Sequence, residues 1–124
     1  MTDLIACLGA GKGTWETVLE LCMFESFENV FLITAESGKE KFIRNHSSAF
    51  LRQPSFVTVN PDAPLSELTE QIRKALEGKL NGLEVALNLT SGKGREHMAV
   101  ISAILKLGFA IRLVDAQKGD LLDL

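Results

Sequence analysis

The sequence predicts an α/β domain in three layers: a mostly parallel sheet of five or six strands with helices on both faces. Three observations predict it. Short apolar runs alternate with longer stretches of helical spacing along the whole chain. Two of those runs, "DLIACL" and "LEVALNL", are nearly unbroken, as expected for strands buried on both faces. Each of the two then passes into a glycine-containing segment that opens onto a helix.

The elements follow in order. "DLIACL" is the first strand. In "TWETVLELCMF", Trp15, Val18, Leu19 and Cys22 recur at helical spacing. "NVFLITA" is rich in branched and aromatic residues and reads as the second strand. "GKEKFIRNHSSAFL" is weakly helical and is stopped by Pro54. "SFVTVN" is the third strand, and Pro61 and Pro64 bracket a turn with Asp62 available as a cap. In "LSELTEQIRKALEGKL", Leu65, Leu68, Ile72 and Leu76 share one helical face before Asn81-Gly82 breaks it. "LEVALNL" is the fourth strand. "REHMAVISAILKL" is the fourth helix, with Met98, Ile101 and Leu105 on one side and Gly108 as its C-cap glycine. "FAIRLVDA" is the fifth strand, and "GDLLDL" a short sixth. Right-handed crossovers between parallel strands give the order 3-2-1-4-5, a Rossmann-like arrangement, with the first and fourth strands adjacent at the centre. One domain spans residues 1–124.

Composition bounds the function. The 124 residues carry a net charge of −3, 46% are hydrophobic and 23% charged, and the isoelectric point is near 5.4. An acidic chain is not suited to covering duplex nucleic acid with a broad basic surface, though a small cationic pocket is compatible with it. Cys7 and Cys22 lie inside apolar elements without zinc-ligand spacing, so buried thiols in a reducing, cytoplasmic compartment are expected. Neither a secretory signal, a membrane span nor a cofactor is expected.

The chemistry concentrates in two loops, "LGAGKGTW" and "NLTSGKGREHM". In the predicted sheet they follow adjacent central strands and face each other across the crevice where such folds bind ligands. Glycines allow the backbone to approach a ligand closely, and helix N-termini offer free N–H groups and partial positive charge. Lys12, Lys93 and Arg95 add full charges, and Thr14, Thr90 and Ser91 add hydroxyls. The combination points to phosphate. The bland reading of each loop alone is a tight strand-to-helix turn with solvated lysines. The first loop shares the "GAGKGT" core of adenylate kinases, but a full P-loop needs glycine where Ala6 stands. Gly9 and Gly11 match the first two glycines of a dinucleotide fingerprint, and Thr14 occupies the third position. Glu36, after the second strand, is a candidate ribose acceptor. Trp15 reads as packing rather than as a platform for a base, His46 as solvated, and His97 as facing solvent or a dimer partner rather than as catalytic. Arg112 reads as an edge residue or a partner of Asp115.

Taken together, the two loops resemble those of the CRISPR-associated Rossmann-fold (CARF) domain family. "LIACLGAGKGTWETVLEL" is similar to that family's first strand, loop and helix. "VALNLTSGKGREHM" resembles its fourth strand and loop, whose signature runs Asn-x-Thr-Gly-Gly-Thr-Lys. Asn88, Thr90 and Gly92 match, Ser91 replaces the first glycine, and Lys93 sits one position early with Gly94 where the lysine is expected. The resemblance implies binding of a cyclic oligoadenylate, cyclic tetra-adenylate foremost, across the two-fold axis of a homodimer. The ligand-binding set would be Gly9, Gly11, Lys12, Gly13, Asn88, Thr90, Gly92, Gly94 and Arg95, and the catalytic set Lys93, Thr14 and Ser91. It further implies a ring nuclease that cleaves the messenger without metal. The alternatives are a non-catalytic sensor or sponge acting through a partner, and an unrelated nucleotide-binding enzyme with a degenerate P-loop.

Overall fold

The computed structural model describes residues 2–10, 14–46 and 53–124. The strands are β1 (Thr2–Cys7), β2 (Phe27–Thr34), β3 (Ser55–Thr58), β4 (Glu84–Asn88), β5 (Ala110–Gln117) and β6 (Asp120–Asp123). The helices are α1 (Trp15–Cys22), α2 (Glu36–His46), α3 (Leu65–Leu76) and α4 (Gly94–Lys106). The sheet order is β3-β2-β1-β4-β5-β6, as the alternation of elements predicts. The first five strands are parallel and β6 is an antiparallel edge.

Period-two alternation sorts the core into two layers. Leu4 and Ala6 of β1, Val30 and Leu32 of β2, Ala86 of β4 and Val114 of β5 pack with Trp15, Val18 and Leu21 of α1 and Phe42 of α2. Ile5, Phe31, Ile33, Val85 and Leu87 face the other way, onto Leu68, Ile72 and Leu76 of α3 and Ala99, Val100, Ala103 and Ile104 of α4. β1 and β4 therefore contribute to both layers, which is why their sequences lack polar alternation. Trp15 is 1% exposed and meets Phe42 edge-on at 5.3 Å. It is a core residue, as its sequence context suggests. His46 is not solvated as expected but half-buried, its ring 5.2 Å from that of Phe42.

Other local details differ from these expectations or sharpen them. Asp62 does not cap α3; Pro64 holds the N-cap position, and the Asp62 N–H donates to Asn60 Oδ1 at 3.0 Å. The helix also ends at Leu76, ahead of Asn81-Gly82, because Gly78 already adopts a positive φ of 75°. On α4, Met98 and Leu105 are 62% and 59% exposed. The buried face is the alanine-rich one, whose small side chains let α4 lie close to α3 and the sheet. Arg112 pairs with Asp123 at 2.5 Å and approaches Glu84 at 3.2 Å, rather than pairing with Asp115. Gly108 does end α4 in the left-handed region, φ 88°. Among the described residues, no helix is long and apolar enough to cross a membrane.

The amino end of the sheet is anchored by an acid. Asp3 is completely buried. Its carboxylate accepts from Asn29 Nδ2 at 3.0 Å and from the Asn81 N–H at 2.8 Å. It thereby ties β1 to β2 and to the turn that enters β4. Removing it leaves the half-buried Asn29 amide and the Asn81 N–H without this acceptor, at a cost of about 1–3 kcal/mol in all. Asp3→Ala is expected to lower unfolding free energy by about 1–3 kcal/mol in urea denaturation; a change below 0.5 kcal/mol would remove the anchor assignment.

Candidate functional site

The site is built on the carboxyl ends of β1 and β4, which pair in parallel register from Asp3↔Val85 to Ala6↔Asn88. That register brings the β1–α1 and β4–α4 loops side by side. Their backbones touch. A Cβ added to Gly9 would lie 2.8 Å from the Gly92 nitrogen and 3.0 Å from its Cα, closer than any side chain tolerates. Gly92 itself has φ 92°, a conformation that favours glycine. These two glycines serve loop-on-loop packing.

Ser91 joins the loops. It is completely buried. Its hydroxyl accepts from the Gly9 N–H at 2.8 Å and lies 2.7 Å from Thr14 Oγ1. The Gly9 carbonyl accepts from the Trp15 indole N–H at 2.8 Å. His97 Nε2 bonds the Ser91 carbonyl at 2.8 Å, so this half-buried imidazole is engaged with the loop. Below them Asn88, 2% exposed, donates to the Val114 carbonyl at 2.8 Å. Its Oδ1 accepts from the Thr90 hydroxyl at 2.7 Å and from the Thr90 N–H at 3.2 Å. Asn88 thus shapes the loop from within, and Thr90 is exposed at its surface.

The cations divide. Lys93 is exposed, and it borders a cavity of about 350 Å³ that opens above the ends of β1, β2 and β3. Arg95 borders the same cavity, but its guanidinium donates to the carbonyls of Pro61 at 2.6 Å and Ala63 at 2.5 Å. It clasps the β3–α3 loop to the start of α4. Carbonyl partners leave its full charge uncompensated, so Arg95 still contributes to the cavity's potential. Gly94 opens α4 with free space around the position of a Cβ. Lys12, Gly11 and Gly13 lie outside the described residues.

Two acids, Asp62 and Glu96, line the same cavity as these charges. Glu96 Oε2 accepts from the Lys93 N–H at 2.5 Å, half of a capping box, and so occupies one of the donors at the α4 N-terminus. Sequence spacing offers this signal in Lys93-x-x-Glu96. Glu96 also helps raise the Cys7 thiol to about 12, although burial is the larger cause. Burial alone raises Cys22 to about 12 as well. Neither thiol is a nucleophile at neutral pH. Among the described residues, no three His, Cys, Asp or Glu side chains gather as a metal-binding group.

The arrangement can hold an anion at the cavity rim through Lys93, with Thr14 and Thr90 exposed on the two adjoining loops. Ser91 cannot touch a ligand directly; it positions Thr14. No model of a known protein family matches this chain, and neither does any curated protein.

Two outcomes follow. Gly9→Ala must force the loops apart, and it is expected to cost about 1–3 kcal/mol of stability; a melting temperature equal to wild type would refute the loop contact. Both native cysteines are expected to resist iodoacetamide at pH 8 and to react only on unfolding; labelling of either in the folded protein would contradict their burial.

Proposed function

We propose that this chain is a CARF-type domain that binds cyclic oligoadenylate, cyclic tetra-adenylate foremost, as a homodimer, and cleaves it slowly without metal. The observation that carries the reading is the convergence of two loops, similar in sequence to that family's ligand loops, on one face, with Lys93 exposed at its rim. A four-fold ring is larger than the 350 Å³ cavity of one chain, so the ring lies across two chains, each contributing the same patch. Exposed Met98, Leu105 and Leu113 add apolar surface suited to a second copy.

The chemistry needs little machinery. The ribose 2′-oxygen attacks the adjacent phosphorus, the bond from phosphorus to the 5′-oxygen breaks, and the product ends in a 2′,3′-cyclic phosphate. The 2′-proton passes to solvent, and the departing 5′-oxygen takes one up. Lys93 stabilises the added negative charge on the phosphorane. Thr14, held by Ser91, orients the ribose or phosphate. Solvent alone serves both proton transfers in this step. Such pairs contribute roughly 10²–10⁴-fold, so turnover is slow.

A second reading is binding without cleavage, as a sensor or sponge. The burial of Ser91 and the capping of Lys93 N–H by Glu96 favour it, since both make the loop a rigid scaffold rather than a reacting group.

Lys93→Ala is expected to weaken binding of cyclic tetra-adenylate by about 10- to 150-fold, matching ~1.5–3 kcal/mol for a charged hydrogen bond. Lys74→Ala on α3 serves as control. Equal affinity of wild type and Lys93→Ala by calorimetry would overturn the phosphate assignment. Single-turnover incubation in EDTA separates the two readings. Linear product carrying a cyclic phosphate is expected; intact ring after hours with excess, demonstrably binding protein leaves the sensor.

A further inference from the structure

The cavity over the ends of β1, β2 and β3 is lined by as many carboxylates as cations: Asp62 and Glu96 against Lys93 and Arg95. A site that only attracts anions is weakened by acids, so their presence needs a reason. Asp62 is exposed, where solvent and salt screen its charge. Glu96 is half-buried and fixed. Its Oε2 accepts from the Lys93 N–H at 2.5 Å. The same oxygen lies 3.1 Å from where a Cβ on Gly92 would stand, so the carboxylate rests against the backbone of the β4–α4 loop. Among the described residues it forms no ion pair. Its field reaches the end of β1: after burial, Glu96 is the second cause that raises the Cys7 thiol to about 12. The charge is held in place, only partly screened and without a counter-ion in contact.

Part of this geometry is structural. Lys93 holds the N-cap position of α4, and an ammonium cannot accept a hydrogen bond from the helix. The turn is secured instead from the helix side, by Glu96 on the Lys93 N–H and by His97 on the Ser91 carbonyl. A glutamine three residues past the N-cap makes the same bond. The cap therefore accounts for the oxygen of Glu96 but not for its charge.

We propose that Glu96 is a specificity-determining residue, whose fixed negative charge beside Lys93 admits phosphodiesters and rejects ligands that end in a phosphate monoester. A diester carries one negative charge, whereas a monoester carries about 1.5 to 2 at neutral pH. The inference rests on the cyclic oligoadenylate reading for the place of the phosphate beside Lys93. A ring of phosphodiesters has no terminal phosphate and passes the filter. Adenosine mono- and triphosphate share its base and sugar but meet like-charge repulsion. The filter keeps a site for an adenylate ring clear of ordinary adenine nucleotides.

The test is calorimetry of the full chain with cyclic tetra-adenylate and with adenosine monophosphate. Glu96→Gln keeps the capping oxygen and removes the charge. It is expected to tighten monophosphate binding about tenfold and ring binding by less than about threefold, with an unchanged melting temperature. Glu96→Ala loses the cap as well, and is expected to melt earlier and still admit the monophosphate. Asp62→Asn, at the exposed acid, is expected to change either affinity by less than about twofold. Equal monophosphate affinity in wild type and Glu96→Gln would overturn the filter, and so would no monophosphate binding to Glu96→Gln, a gain for the ring as large as for the monophosphate, or a loss of ring binding in Glu96→Gln. Should the ring bind wild type while Glu96→Gln changes neither affinity, the filter falls and the ring reading stands. Should Glu96→Gln admit the monophosphate while the ring binds neither protein, the filter stands and the ring reading falls.

Discussion

The site depends on a single hydroxyl placed between two loops. Ser91 has no access to solvent, yet its Oγ meets the Gly9 N–H and the Thr14 hydroxyl within 2.8 Å. Each loop follows a buried central strand, so its backbone groups leave the sheet ladder in a dry environment and must be paired. Ser91 pairs them across the strands rather than within one loop. Gly9 and Gly92 make this possible by letting two backbones touch where any side chain would intrude. The rest of the candidate site, Thr14, Thr90 and Lys93, takes its place from that junction.

The electrostatics of the cavity are finely divided for an acidic protein. Lys93, Arg95, Asp62 and Glu96 all line one volume. Arg95 is tied to two carbonyls, which fix the guanidinium in position without cancelling its charge. Lys93 is exposed at the rim, while its own backbone N–H is held by Glu96. A ligand bearing a phosphate at one end and hydrogen-bond donors at the other satisfies both signs, whereas a simple anion meets the two carboxylates as well. That division favours a nucleotide over inorganic phosphate, in line with the proposed messenger.

The fold was legible because its signals are local. Alternation of element types, unbroken apolar runs in β1 and β4 and glycine at the end of α4 each act within a few residues. What stayed hidden depends on distance in space. Nothing in "NLTSGKG" says that Ser91 turns inward to Gly9, 82 residues away in sequence. Nor does spacing reveal that Arg95 reaches back to Pro61 and Ala63, or that Asp3 is a buried anchor. α4 carries two apolar stripes, and periodicity cannot choose between Met98-Ile101-Leu105 and the alanine-rich face that α3 covers.

The central claim is that each chain supplies half of a face for one cyclic messenger. Isothermal titration with cyclic tetra-adenylate measures this directly, because the stoichiometry counts chains per ring. The account predicts saturation at one ring per two chains, accompanied by a dimer mass in light scattering. Saturation at one ring per monomeric chain, or no heat at ligand concentrations well above the protein's, would contradict it.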